Sequence, residues 1–246
     1  MATVEEHYES LLADYYSWMF GDFDAKVEAN RRFFSYYDIV PAKSGIAVDL
    51  GAGPGFQSLA LAQLGFRVTA FDLSGKLLSE LEGKRGDLPV TAVHDDMLNF
   101  PAHRTGPVEL CVCMGDTLPH LESTDRVADL FGKVYHSLDA GGRFILTYRD
   151  LSFELTGLSR FIPVRSDDTT IFTCFLEYEP RHVTVHDLVY VRMGEKWELR
   201  KSSYRKLRLQ LDWVLERLVE AGFAIDSCES NGGMVTIIAD KGESVY

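Results

Sequence analysis

Residues 46–56 read IAVDLGAGPGF, a short apolar run that opens directly into a glycine loop. An unalternating apolar run of five residues, bounded by Gly45 and Gly51, is the pattern of a strand buried on both faces of a parallel sheet. The glycines after it permit tight backbone angles and carry no side chains, so a ligand can rest against the main chain near a helix N-terminus. FQSLALAQLG, closed by Gly65, supplies that helix. Two common phosphate-binding loops do not fit. A P-loop needs Gly-Lys-Ser/Thr, which Pro54-Gly55-Phe56 does not provide, and the classical dinucleotide fingerprint needs glycine where Phe56 stands.

Outward from this loop the pattern repeats. RVTAF (67–71) reads as a strand, a helix starts at Ser74, PVTAV (89–93) and VELCVCM (108–114) read as strands, and a helix over 122–138 precedes the strand RFILTY (143–148). Strands alternating with helices imply right-handed crossovers and a mostly parallel, doubly wound α/β sheet, a Rossmann-like core. Residues 1–40 carry apolar positions at helical spacing, interrupted near Gly21, and read as an N-terminal helical cap of two helices. After Arg149 the rhythm changes. Residues 151–208 read as an insertion: an irregular stretch to 168, then an antiparallel meander forming a β lid. A helix over 211–222 resumes the parent pattern, and FAIDSCES and MVTIIAD end the sheet, the final strand antiparallel. The 246 residues are read as one domain.

The composition narrows the partners. With 37 acidic against 25 basic residues the formal net charge is -12, and the summed field repels a phosphate backbone, so nucleic acid is not expected. RKSSYRKLR (200–208) is locally basic, but its alternation suits the solvated face of a strand. The four cysteines (111, 113, 174, 228) show no Cys-x-x-Cys spacing, so no metal site is expected; Cys111 and Cys113 share one strand face as small core residues. MATVEEHYES lacks the features of a signal peptide and no run is long enough to span a bilayer, from which a cytoplasmic protein without membrane contact is expected.

DLGAGPG (49–55) resembles motif I of the class I S-adenosylmethionine (SAM)-dependent methyltransferases, an acidic residue leading into Gly-x-Gly-x-Gly after the first strand. The resemblance extends to the ends of the next strands. It implies SAM as cofactor, with S-adenosylhomocysteine as product. It puts the cofactor against Asp49, Gly51, Ala52, Gly53 and Gly55, with Asp72 on the ribose hydroxyls beside Leu73. Asp96 and Met97 fall at the adenine, and Met114 at the end of the fourth strand. Each residue also has a purely structural use: Asp49 can hold the loop, Asp72 can sit beside a helix cap at Ser74, and Asp95-Asp96 can form a turn. Their order on consecutive strand ends of one sheet favours the cofactor.

CMGDTLPHL (113–121) and LTYRD (146–150) are similar to segments of the glycine N-methyltransferase group. There a turn with a following histidine, and an arginine ending the fifth strand, engage an amino-acid substrate. The resemblance implies substrate-side roles for Asp116, His120 and Arg149, the arginine on a carboxylate and either Asp116 or His120 on the proton. Asp116 replaces that group's asparagine, which weighs against glycine itself. Tyr16 and Trp18 in DYYSWMFG could line the cofactor pocket by cation–π attraction or pack a helix face, and Arg160, Arg165, Asp167 and Asp168 suit a solvated loop. The expectation is methyl transfer to an amine or hydroxyl of a small carboxylate-bearing metabolite. The alternatives are a catalytically silent SAM-binding or partner-binding protein and, with less support, a dinucleotide-dependent oxidoreductase.

Overall fold

The computed structural model describes residues 2–242. Seven strands form the main sheet: β1 (Ile46–Leu50), β2 (Arg67–Asp72), β3 (Val90–His94), β4 (Val108–Cys113), β5 (Leu138–Arg149), β10 (Ala224–Asn231) and β11 (Met234–Asp240). Their order is β10-β11-β5-β4-β1-β2-β3. The β1, β2, β3, β4 and β5 pairings are parallel, and β11 runs antiparallel to both neighbours. The order reverses between β1 and β4, which opens a crevice outside the carboxyl ends of these strands where doubly wound sheets take their ligands.

The unalternating apolar runs are explained by cover on both faces. Ala47, Val68, Leu110, Val112 and Ile145 pack with Phe34 of α3 (Phe23–Tyr36) and Leu59 and Leu61 of α4 (Phe56–Gln63). Val48, Leu50, Cys111, Cys113, Phe144 and Leu146 pack on the opposite side with Val127 and Phe131 of α6 (Thr124–Ser137) and Val214 of α7 (Leu211–Glu220). Cys111 and Cys113 thus lie together on one face, as small apolar residues. Side-chain caps start the helices that follow the strands: Ser74 accepts from Leu77 N–H ahead of α5 (Gly75–Lys84), and Ser123 from Arg126 N–H ahead of α6.

The insertion forms a separate four-stranded antiparallel sheet, β6 (Phe161–Ser166), β7 (Thr170–Tyr178), β8 (His182–Met193) and β9 (Lys196–Leu207), joined in chain order. Its register aligns Cys174 with Asp187 and Ser202, and Leu176 with Val185 and Tyr204. Because side chains alternate, Phe172, Cys174 and Leu176, Val185, Asp187 and Val189, and Tyr204 and Lys206 share the face turned to the core. Period-two alternation was the sequence signal for this lid, but β6 lies within the stretch expected to be irregular: Pro163 and a register shift between Pro163 and Arg165 interrupt its pattern.

The N-terminal segment departs from two helices. It folds as α1 (Val4–Ser10), a 3-10 turn, α2 (Tyr16–Phe20) and α3, with Thr3 and Glu6 closing a capping box on α1. Gly21, at φ +93°, ends α2 where the break was expected. Among the described residues no helix is long and apolar enough to cross a membrane.

The glycine loop has a packing requirement that a substitution will expose. Gly55 has φ +95°, and a Cβ there would stand 2.2 Å from Leu81 Cδ1. Gly55→Ala is expected to lower the urea midpoint by an amount worth about 2–5 kcal/mol, from backbone strain and overpacking together. Adding Leu81→Ala should cost less than the sum of the single changes, and strict additivity in that cycle would refute the clash.

Candidate active site

Two adjoining cavities occupy the crevice. The first, about 550 Å³ of empty space with an open mouth, is lined by Gly51 and Gly53, by Asp72, Leu73, Ser74 and Leu77, by Asp95 and Met97, and by Val4, Glu5, Tyr8, Tyr16, Thr117 and His120. The loop that forms its floor is drawn tight by Gly51 and Ala52, whose N–H groups both donate to Phe71 O at 2.8 Å. Gly51 has φ +77°, and a Cβ there would fall 2.2 Å from Thr117 Cγ2, so the loop can approach the β4 turn only without a side chain. A Cβ on Gly53 would instead point at the Tyr16 ring, 3.6 Å away, across space left for a ligand.

Asp72 closes the side of this cavity. Its Oδ2 accepts from Gly53 N–H and its Oδ1 from Ser74 N–H, each at 2.8 Å. Burial pushes its carboxyl pKa up while these backbone donors oppose the shift. A carboxylate so held keeps lone pairs free for a diol. Asp49 does something different. It is 1% exposed, lies outside both linings and accepts from Ser58 Oγ of α4 at 2.6 Å, tying strand to helix beneath the loop. Burial pushes its pKa up to about 7.

The second cavity, about 1840 Å³ with its open mouth, lies between the strand ends and the lid. Met114, Asp116, Thr147 and Arg149 come from the core, Cys174, Asp187, Tyr204 and Lys206 from the lid, and Lys26 from α3. Asp116 adopts φ +74°; its Oδ1 accepts from Arg149 N–H at 2.7 Å and its Oδ2 from Lys206 Nζ at 2.5 Å. The Arg149 guanidinium is exposed to the cavity and makes no ion pair with Asp116 or Asp150 among the described residues. Asp187, 2% exposed, accepts from Cys174 Sγ at 2.8 Å and bonds His7 Nε2 at 2.9 Å.

His120 lies at the junction of the two cavities. Its ring stacks on Tyr204 (5.3 Å, 18°) and meets Tyr8 edge-on (5.7 Å). Its buried Nδ1 has no partner, and burial and the Lys206 charge hold its pKa well below the usual imidazole value, so the ring is neutral. Burial likewise raises the Tyr8, Tyr16 and Tyr204 phenols, which stay protonated.

The structure brings together on the first cavity Tyr16, Gly51, Gly53, Asp72, Leu73 and Met97 of the expected cofactor residues, and Met114, Asp116, His120 and Arg149 on the second. It does not bring the others there. Trp18 turns to the lid, where its Nε1 donates to Asp167 Oδ2 at 2.8 Å and Arg165 stacks on its ring at 5.2 Å, so Arg165 and Asp167 are not a merely solvated loop. Asp96 caps the following 3-10 turn through Leu98 N–H, and its neighbour Asp95 lines the cavity. Ala52 and Gly55 are packing positions. Sequence reasoning passed over Tyr8, Thr117, Asp187, Tyr204 and Lys206, whose roles depend on contacts between distant segments.

Residues 47–142 match the methyltransferase domain family, spanning the glycine loop and the ends of β1 to β4. The matched stretch is a methyltransferase domain, and the fold built around it is that of the SAM-dependent methyltransferases. Its fold is similar to that of an S-adenosylmethionine-dependent methyltransferase from Clostridium acetobutylicum (TM-score 0.74, 18% identity, 95% of this chain and 97% of that one). It is also similar to SAM-bound CalS10, an amino pentose methyltransferase from Micromonospora echinaspora (TM-score 0.71, 13% identity, 91% and 93%). Over 105 residues the chain is 28% identical to a glycine/sarcosine N-methyltransferase of Aphanothece halophytica, covering 42% of this chain and 40% of that one.

The buried Asp49 gives a pH test. Its folded pKa of about 7 lies above the ordinary carboxyl value, so its contribution favours folding at low pH and is lost as pH rises through about 7. Between about pH 4 and 7, Asp49→Asn is expected to gain stability relative to the unsubstituted protein, at up to about 1.4 kcal/mol per pH unit. Urea unfolding at successive pH values checks this, and a constant difference would overturn it.

Proposed function

We propose that this methyltransferase moves the methyl group of SAM to an amine or hydroxyl of a small, carboxylate-bearing metabolite. The observation that carries the reading is the meeting of the two cavities: Tyr8, Tyr16 and His120 line both, so a ligand in each would touch at these three side chains. When bound, SAM supplies an electrophilic methyl group on a sulfonium. The residues of the first cavity fit that cofactor. Asp72 would hold the ribose hydroxyls, Leu73, Asp95 and Met97 would border the adenine, and Gly51 and Gly53 leave the floor bare. The ring faces of Tyr8 and Tyr16 suit a cationic centre.

On the acceptor side, Arg149 offers a planar fork to a carboxylate. Both oxygens of the Asp116 carboxylate are already engaged, one by Lys206 Nζ and one by the Arg149 N–H, which leaves it to orient the Arg149 main chain. Neutral His120, without a hydrogen-bond partner at either ring nitrogen among the described residues, is free to accept a hydrogen from the acceptor and turn its lone pair toward the first cavity. The lid supplies a dry roof through Phe172, Leu176, Val185 and Tyr204. The amino pentose and glycine/sarcosine relatives, each named for a small amine-bearing substrate, support an acceptor of this size.

A panel of amines and hydroxy acids, read by S-adenosylhomocysteine release, identifies the acceptor class. Arg149→Lys is expected to keep S-adenosylhomocysteine affinity while lowering kcat/KM for the best acceptor by roughly a hundredfold, since a misplacement of about 1 Å costs that much. Asp72→Asn should do the reverse, weakening S-adenosylhomocysteine binding roughly 10- to 100-fold in calorimetry, the loss of two charge-assisted hydrogen bonds. Unchanged turnover in the first variant or unchanged affinity in a folded second one would overturn the corresponding role.

A further inference from the structure

The charges on the wall of the acceptor cavity do not balance. Asp116 is paired with Lys206, and Asp187 with His7 and the Cys174 thiol. Two cations remain. Arg149 has no carboxylate partner, and neither has Lys26, among the described residues. Lys26 is half-buried, its Nζ lies 5.0 Å from the centroid of the Phe20 ring, and desolvation lowers its pKa. The other cations of α3 are served differently, since Arg31 and Arg32 both bond Glu28 and project toward solvent. An acidic protein has thus put two cations without a carboxylate partner on one cavity, one at the end of β5 and one on α3.

We propose that Lys26 is a second anion-binding residue of the acceptor site, and that the acceptor carries two anionic groups, one held by Arg149 and the other by Lys26. The inference rests on the methyl-acceptor reading of this cavity and adds its substrate class: an elongated dianion, two carboxylates or a carboxylate and a phosphate, with the methylated atom between them and the junction at His120. The lining agrees, because one cavity takes in both Lys26 of α3 and Arg149 at the end of β5. Met234 stands directly opposite Arg149 in the β11–β5 register and Thr236 opposite Thr147; together they give the acceptor an uncharged floor.

The test uses the full chain loaded with S-adenosylhomocysteine. Glutarate, adipate and suberate are titrated by calorimetry beside monocarboxylates of the same chain lengths. One dicarboxylate is expected to bind roughly tenfold or more tightly than its monocarboxylate, as a second charge-assisted contact requires. Lys26→Gln should erase that advantage without changing monocarboxylate or S-adenosylhomocysteine affinity, and Lys26→Arg should restore it. The proposal is overturned if no dicarboxylate length is preferred, or if the preference survives in Lys26→Gln. Monocarboxylate binding that is unchanged in Arg149→Gln would instead remove the underlying carboxylate reading, so the two failures are told apart.

Discussion

The ion pair between Asp116 and Lys206 is the constraint on which the second cavity depends. Both side chains are largely withdrawn from water, at 13% and 11% exposure, so neither charge is cheap to leave alone. Asp116 sits at a positive φ that a residue with a side chain adopts at a cost of about 1 kcal/mol or more, and the pair and the Arg149 N–H hold it there. One carboxylate thereby joins the turn after β4, the end of β5 and the lid strand β9. Lys206, on the lid face turned to the core, finds its counter-charge in the core and ties the lid to the strand ends.

The N-terminal segment is the second tie, and it belongs to both cavities at once. His7 reaches the buried Asp187 of the lid and packs tilted against the Tyr204 ring at 4.2 Å, while Glu9, two residues on, accepts from Ser74 Oγ beside Asp72. Tyr8, between them, faces the junction. A single turn of helix therefore couples the wall of one cavity to the wall of the other, through hydrogen bonds that require its register to be kept.

The parts of this architecture that were readable in the sequence are those with short-range causes. The glycine loop, the Asp72 position and the βα rhythm each follow from steric or periodic rules within a few residues. The lid was legible as alternation, though β6 was hidden by Pro163. Lys206 was not. Alternation in RKSSYRKLR says that Tyr204 and Lys206 share a face, but the choice of face is made by Asp116, 90 residues earlier. His7 and Asp187 are separated by 180 residues, and nothing local marks either as a partner. Trp18 was misplaced for the same reason: an aromatic on a short helix packs against whatever tertiary neighbour arrives, here Arg165 and Asp167.

The antiparallel β11, inserted between β5 and β10, has a consequence for biosynthesis. Every residue lining the first cavity lies between Val4 and His120, whereas the second borrows Met234 and Thr236 from the last strand. On the ribosome the walls of the first cavity emerge in the first half of the chain, and the second is completed only when the final strand pairs with β5. A chain truncated before that strand would leave the β5 edge unpaired and the second cavity without its floor.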